Sequence, residues 1–290
     1  MAFKKMTQEE KKKYQKERKK ELEQKLDEGI QAVFEDGRFA DYLKLQSCFR
    51  QYSINNTILI LLQEPGATYV AGKSAWKKLN RHLIRGASPI RIFAYLGNRK
   101  FTKTEVKDDG EEESIDINAP MYTTTCVYNI SETESDDGSE ELPGELVHTL
   151  HGDVDDFDNF MEKLQASAGI RFEYEQIKGG AKGYYSPVED KIVLNEGMSQ
   201  KQTLKTAVHE VAHSKLHYKG SEFEKTDRQT KEMQAEGAAF MVCNYFGIDT
   251  SDYSFGYIAG WSSDKTQKER QQVLGTIRNT AFELIDAIEA

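Results

Sequence analysis

The chain has 290 residues, of which 30% are charged and 38% hydrophobic, and its net charge is −9. This balance is typical of a globular protein and argues against a disordered chain. The apolar runs, such as residues 58–62, are far below the roughly 20 residues that span a bilayer, so we expect no membrane-spanning segment. An N-terminus without an apolar core and three scattered cysteines predict a cytoplasmic protein without a disulfide framework.

Charge is unevenly distributed along the chain. Residues 37–103 contain twelve Lys or Arg residues and two acidic ones, which gives this stretch a net charge of +10. The acidic residues that make the whole chain negative lie mainly in later segments. Such an asymmetry is typical of a protein that binds a polyanion through its basic side.

The first 35 residues are predicted to be a charged helical extension. Residues 8–26 are dense in Lys and Glu, and helical apolar spacing first appears at Ile30, Val33 and Phe34. A basic arm that touches nucleic acid is one interpretation. The interleaving of Lys with Glu favours the other, a solvated helix that leads into the fold.

Residues 36–133 are predicted to form an α+β domain. Its elements are helices at 52–63 and 73–81 and strands at 90–95 and 122–128. Pro65-Gly66 stops the first helix, and β-branched and aromatic residues mark the last strand. The acidic residues 108–113 are interpreted as a hairpin loop within this domain, and residues 134–146 as an acidic linker.

Residues 147–290 are predicted to form a second α+β domain, so the fold class is α+β with two domains. We expect helices at 157–168, 204–217, 228–246 and 267–290, and strands at 172–174 and 191–194 after a glycine-rich turn.

The motif His209-Glu210-Val211-Ala212-His213 carries the clearest chemistry in the sequence. Residues four apart on a helix face the same way, so both imidazoles can reach one tetrahedral zinc ion. Glu210 lies beside that point, where it can act as the catalytic base on water acidified by the metal. The motif therefore predicts a Zn2+ site in a metallopeptidase-type protein.

A catalytic zinc needs a third protein ligand, and the next predicted helix offers two candidates. Glu232 and Glu236 are again four residues apart, so one can bind the metal while the other orients an imidazole. His217 shares the face of His213 but lies a further turn from the ion, and we interpret it as packing at the helix end.

The C-terminal half, residues 150–265, resembles the ImmA/IrrE-type and ArdC-type zincin domains. The matching residues are Glu232-Met233-Gln234-Ala235-Glu236 and Tyr257-Ile258-Ala259-Gly260-Trp261. The resemblance implies that Glu232 is the metal ligand and that Glu236 supports the site. It also suggests Tyr257 as a catalytic hydrogen-bond donor to an oxyanion, with a packed aromatic as the alternative.

The N-terminal half is similar to the single-stranded-DNA-binding domain of ArdC-type proteins. The matching residues, in order, are Asn55-Asn56, Gln63, Pro65-Gly66-Ala67, Val70-Ala71-Gly72, Trp76, Gly86, Pro89-Ile90-Arg91-Ile92 and Val127-Tyr128-Asn129-Ile130-Ser131-Glu132-Thr133. Two departures are Asn80-Arg81-His82, where Gly-Arg is usual, and Glu132, where Gln is usual.

Single-strand binding needs cations for phosphates and aromatic faces for bases. Candidate DNA-binding residues are Lys73, Trp76, Lys77, Lys78, Arg81, Arg85 and Arg91, with Tyr69 and Tyr95 as further stacking surfaces. A core aromatic is the alternative interpretation of Trp76.

Two hypotheses of function follow. In the first, a zinc metallopeptidase is held near its unidentified substrate by binding single-stranded DNA. In the second, a non-proteolytic protein coats and protects incoming single-stranded DNA and its zinc is structural, because ArdC-type proteins of mobile elements act as antirestriction factors. A regulatory peptidase that cleaves one repressor is a third possibility.

Overall fold

The computed structural model describes residues 7–35, 37–106, 112–136, 157–248, 250–251, 253 and 255–290. The helices are α1 Gln8–Glu35, α2 Phe39–Cys48, α3 Ile54–Gln63, α4 Lys73–Lys78, α5 Phe157–Ala168, α6 Gln200–Leu216, α7 Arg228–Tyr245, α8 Ile258–Ser262 and α9 Gln267–Glu289. The strands are β1 Val70–Ala71, β2 Arg81–Leu83, β3 Ile90–Val106, β4 Glu112–Asn129, β5 Thr133–Ser135, β6 Arg171–Glu175, β7 Gly183–Ser186 and β8 Lys191–Asn195. The predicted α+β class is confirmed.

The first half is built around a long antiparallel ribbon of β3 and β4, with β1 paired to the other edge of β4. The register of the ribbon shifts between Tyr95 and Asn98, and Gly97 there has a φ of 100°, which glycine adopts without strain. A short second sheet pairs β2 with β5. The ribbon therefore extends well beyond the helices that pack on its base.

Two side-chain amides of α3 cover the free edge of β3. Asn56 Nδ2 donates to the Phe93 carbonyl at 2.9 Å, and Asn56 Oδ1 accepts from the Phe93 N–H at 2.9 Å. Gln63 does the same at Arg91, with distances of 2.9 and 3.1 Å. Each amide thus replaces one peptide group of a missing neighbouring strand, which satisfies backbone groups that are partly shielded from water.

The two halves of the chain share one hydrophobic core. Helix α2 packs on α7, and α1 packs on α3, α8 and α9. Aromatic pairs cross between the halves, with ring centroids 5.7 Å apart for Phe34 and Trp261 and 5.1 Å apart for Phe39 and Phe255. The predicted domain boundaries stay a prediction, because the described contacts join the halves rather than separate them.

In the second half, α6 packs on a three-stranded sheet of order β6-β8-β7, α5 and α7 pack on α6, and α9 packs on both α5 and α7. Strand β6 runs parallel to β8, and β7 runs antiparallel to it. Side chains cap the helices that matter for the site: Ser199 accepts from the Gln202 N–H of α6, and Asp227 accepts from the Thr230 N–H of α7. These caps fix where α6 and α7 begin.

The predicted helices and strands are confirmed with bounds that differ by a few residues, and the structure adds several features. Helix α2 was not predicted, and β3 and β4 are much longer than expected. The helix predicted for 73–81 ends at Lys78, because Asn80 has a φ of 54° and Arg81 begins β2. Residues 108–111 of the predicted hairpin loop at 108–113, and residues 137–146 of the predicted linker at 134–146, lie outside the described residues. None of the described helices is long and apolar enough to cross a membrane.

The edge contact of Gln63 can be tested by substitution. We expect Gln63→Leu to lower the free energy of unfolding by about 1–3 kcal/mol, because the N–H and C=O of Arg91 lose their partners. The matched control is Gln31→Leu, since Gln31 is an exposed glutamine of α1 whose amide donates to the side chain of Glu35 on the same helix. Urea denaturation of both variants checks this, and equal stability of the two would contradict it.

Candidate metal centre

Helix α6 brings His209 and His213 together. Its buried face includes Leu204, Val208 and Val211, which anchors the helix in the core and leaves the two histidines half-buried at the wall of a cleft. Their Nε2 atoms lie 3.0 Å apart. The side chains are 25% and 16% exposed, and both line the cleft.

Helix α7 supplies the third candidate ligand. Glu232 Oε2 lies 3.6 Å from His209 Nε2 and 3.5 Å from His213 Nε2. The buried residues Ala235, Ala238 and Ala239 let α7 pack closely in the core. A side chain at Gly237 would meet Ile277 of α9 at 2.8 Å, so this glycine allows α9 to press α7 into place.

The three donor atoms fit one divalent cation. All of them lie within 4.8 Å of one another, and they form the one such cluster found among the described residues. Ligands of a tetrahedral zinc ion at about 2.0–2.2 Å lie about 3.3 Å from each other. The observed separations of 3.0, 3.5 and 3.6 Å bracket that value.

The cluster opens into a cleft of about 760 Å³. Its walls are the segment 180–187, α6 and α7, with Tyr253 at one side. The acidic residues of the lining are Glu210, Glu232 and Glu236, and the basic ones are Lys182, Lys205 and Arg228. The cleft is large enough for a short stretch of extended peptide.

Glu210 lines the same cleft and is only 7% exposed. Burial raises the pKa of its carboxyl group, although the charges of His209 and His213 and a hydrogen bond from the Tyr185 backbone N–H oppose this shift. The carboxylate is therefore fixed by β7 from one side and lies next to the ligand cluster on α6.

The charges and contacts within the cluster favour the ionised form of the Glu232 carboxylate beside the two imidazoles. The neighbouring imidazoles of His209 and His213 hold the pKa of Glu232 well below its usual range. Burial opposes charge on His209, but its hydrogen bond to Glu232 and the nearby carboxylates raise its pKa overall. A negative charge is thus available at Glu232 for a cation.

Strand β7 forms one edge of its sheet and faces the cleft. The Asn195 N–H donates to the Lys182 carbonyl, so by strand alternation Gly183 and Tyr185 direct their backbone groups away from β8. A Cβ atom at Gly183 would lie 2.7 Å from Thr206 Cγ2, which requires glycine where β7 crosses α6. Tyr185 uses its N–H for Glu210, and the backbone of Gly183 faces outward beside it.

Glu236 and Tyr257 form a pair at the back of the cleft. Tyr257 donates its hydroxyl to Glu236 Oε2 at 2.6 Å. Burial and this bond raise the pKa of Tyr257, and burial raises the pKa of Glu236. Glu236 therefore holds a tyrosine hydroxyl rather than an imidazole, and Tyr257 in turn is engaged with a carboxylate rather than directed at the ligand cluster.

Sequence reasoning missed the contacts of His217. Its Nδ1 lies 2.9 Å from Nδ1 of His213, and its Nε2 lies 2.9 Å from Oε1 of the buried Gln234. Burial lowers the pKa of His217 to about 4. The spacing of four residues from His213 was a signal in the sequence, but the partner on α7 was not visible there.

The predicted DNA-binding residues differ in how far they are exposed to solvent. Lys73, Lys77, Lys78 and Arg85 are exposed, and Arg81 is tied to the side chain and carbonyl of Thr133. Trp76 is completely buried and donates to the Tyr128 carbonyl at 3.1 Å, so it offers no face to a base.

Arg91 is half-buried, and Gln63 holds its backbone. Tyr69 packs edge-on against the ring of Trp76. The exposed aromatic surface lies instead on the β3–β4 ribbon, where Tyr95 and Tyr122 are paired across the strands with ring centroids 5.7 Å apart. Sequence reasoning named Tyr95 but missed Tyr122 and the exposed Phe101.

Known proteins resemble this chain in part of its second half and in its fold. Residues 165–253 match the Peptidase_M78 family, described as an IrrE N-terminal-like domain. An uncharacterized protein of Bacillus anthracis, pXO2-81, is 26% identical over 322 aligned positions that cover 96% of this chain. The alignment covers 54% of that relative, so the chain spans about half of its length.

Two crystal structures of the antirestriction protein ArdC from the R388 plasmid share the fold. The metal-free structure has a TM-score of 0.52 at 18% identity, and the Mn(II)-bound structure has a TM-score of 0.50 at 15% identity. Each match covers 81% of this chain and 84% of the ArdC chain. The predicted resemblance to ArdC-type and IrrE-type proteins is thus confirmed in the C-terminal domain and in the fold.

The two glutamates of α7 can be told apart by metal binding. We expect Glu232→Gln to weaken binding of a divalent cation by more than about 100-fold, beyond the 10–100-fold typical of residues that only support a ligand. Glu236→Gln, the matched control one turn further along, should stay within the smaller range because its carboxylate bonds to Tyr257. Isothermal titration with zinc checks both variants, and equal losses would contradict the assignment of Glu232.

Proposed function

We propose that this chain is a zinc-dependent metallopeptidase whose first half binds single-stranded DNA. The observation that carries the proposal is the convergence of His209 Nε2, His213 Nε2 and Glu232 Oε2 at a cleft that also holds Glu210. Two imidazoles and one carboxylate are the donor set of many catalytic zinc sites. A bound zinc ion supplies Lewis acidity, which lowers the pKa of water and polarises a peptide carbonyl.

Glu210 is the proposed general base. It follows His209 directly on α6, is buried in the cleft wall, and is steadied by the N–H of Tyr185. A carboxyl group whose pKa is raised by burial is a stronger base than an exposed one, which suits removal of a proton from the attacking water.

The proposed substrate is an extended segment of polypeptide that adds to the edge of β7. The outward N–H and C=O of Gly183 can bond to a peptide backbone in the manner of an added strand. Such binding reads the main chain rather than particular side chains. It would bring a carbonyl carbon beside Glu210 and the ligand cluster.

The proteolytic step is tested with Glu210→Gln. We expect this variant to keep zinc affinity within about threefold while cleavage falls by 10²–10⁴-fold, roughly the contribution of a general base. The substrate is a mixed peptide library, with cleavage followed by mass spectrometry. The matched control is Glu162→Gln, an exposed glutamate of α5, which should cleave as the wild type does.

Two outcomes would contradict the peptidase proposal. One is cleavage by Glu210→Gln at the rate of the wild type. The other is a zinc-loaded wild type that cleaves no peptide of the library, which would favour a structural zinc in a protein that only protects DNA.

The DNA part of the proposal is supported by the ribbon and by charge. Tyr95 is 59% exposed and Tyr122 is 44% exposed, so both rings of this tilted pair are available to a ligand. Arg99 and Lys100 follow on the same strand and are exposed. Aromatic faces next to cations suit a single strand, whose bases stack while its phosphates pair with the cations. We extend this to a role in antirestriction for a mobile element, the role named for the ArdC protein of the R388 plasmid.

Binding to a fluorescent oligothymidine tests this surface. We expect the double substitution Tyr95→Ala, Tyr122→Ala to weaken binding about 5–150-fold, since stacking contributes about 1–3 kcal/mol per base. Tyr174→Ala is the control, because Tyr174 is equally exposed but lies on β6.

Reversal of Lys77 and Lys78 to Glu should weaken binding further and flatten its salt dependence. Affinity that does not change with salt would contradict DNA binding by this half.

A further inference from the structure

The two ring nitrogens of His213 have different neighbours. Its Nε2 faces the ligand cluster, 3.0 Å from Nε2 of His209. Its Nδ1 lies on the opposite side of the ring, 2.9 Å from Nδ1 of His217. His217 continues to Gln234 on α7, with 2.9 Å between its Nε2 and the amide oxygen Oε1. A hydrogen-bonded chain therefore leads from a buried amide of α7 to the metal-facing atom of His213.

With the amide oxygen of Gln234 facing His217 and both imidazoles neutral, the order of donors and acceptors along this chain has one solution. An amide oxygen only accepts hydrogen bonds, so Nε2 of His217 must carry a proton. A neutral imidazole has one N–H, so Nδ1 of His217 then accepts, and Nδ1 of His213 must donate. The remaining nitrogen of His213, Nε2, keeps its lone pair.

The opposite order is incompatible with a metal site. If the amide NH2 of Gln234 faced His217, every donor along the chain would become an acceptor. His213 would then carry its proton on Nε2, directed at the cluster, and that nitrogen could not bind a cation. The direction of the Gln234 amide is thus coupled to the ligand capacity of a histidine on another helix.

We propose that Gln234 and His217 are positioning residues that fix the tautomer and the ring orientation of His213. The inference rests on the proposed zinc site and adds residues that neither the motif nor the ligand cluster contains. Because Gln234 is 2% exposed and lies two residues from Glu232, α7 supplies both a ligand and the group that prepares its neighbour. Partners of this kind fix a ligand histidine before the metal arrives.

Substitution of Gln234 tests the metal-binding consequence. We expect Gln234→Met, which keeps the length of the side chain but lacks the acceptor, to weaken zinc binding 10–100-fold. Gln234→Glu restores an acceptor and should return the affinity to within about threefold of the wild type. Thr230→Val is the control, since it removes a buried hydrogen bond to Trp261 Nε1 from the same helix without reaching His213. It should lower stability but not zinc affinity.

Nitrogen-15 NMR of histidine-labelled, metal-free wild-type protein reads the tautomers directly. The chain has six histidines, so the imidazole spectrum can be assigned by substitution. We expect a proton on Nδ1 of His213 and on Nε2 of His217. A proton on Nε2 of His213, or unchanged zinc affinity in Gln234→Met, overturns the proposal. If the wild type binds no divalent cation, the proposed function fails, and the tautomer spectrum still decides whether Gln234 and His217 fix the tautomer of His213.

Discussion

The close packing of α6 against α7 is the constraint on which the site depends. Two imidazoles on α6 can hold a cation from one side, but the third donor comes from α7 and must lie within a few ångströms of both. The alanines of α7 are buried in the core, and Gly237 leaves room for Ile277 of α9 to pack on the same helix. A shift of α7 by one residue would move Glu232 away from both histidines and Gln234 away from His217.

The parts of the site that lie on one helix could be predicted from sequence. The grouping of His209, Glu210 and His213 follows from helical periodicity, and so does the placement of Glu232 and Glu236 on one face. The choice of Glu232 as the ligand came from the family resemblance. The roles that depend on contacts between elements could not be predicted in this way. His217 was expected only to pack at the helix end, because the sequence gives no sign that Gln234 of α7 faces it.

The first half illustrates the same limit in a different form. Asn56 and Gln63 could be matched by resemblance, but their work as substitutes for a neighbouring strand appears only when α3 is seen beside β3. Trp76 was named both as a base platform and as a core residue, and its complete burial follows from packing that no periodicity encodes. Residue order identified the relevant segments, whereas side-chain exposure decided which aromatic residues remain available.

The shared core restricts how the gene for such a protein can evolve by recombination. The rings of Phe34 and Phe39 lie against Trp261 and Phe255, and Asn244 of α7 donates to Ser47 of α2. A gene fragment that encoded only the second half would leave a broad apolar face of α7 and α9 without its cover. We therefore expect the two halves to fold as one cooperative unit, and recombination between them to be tolerated only where both sides of this interface are exchanged together.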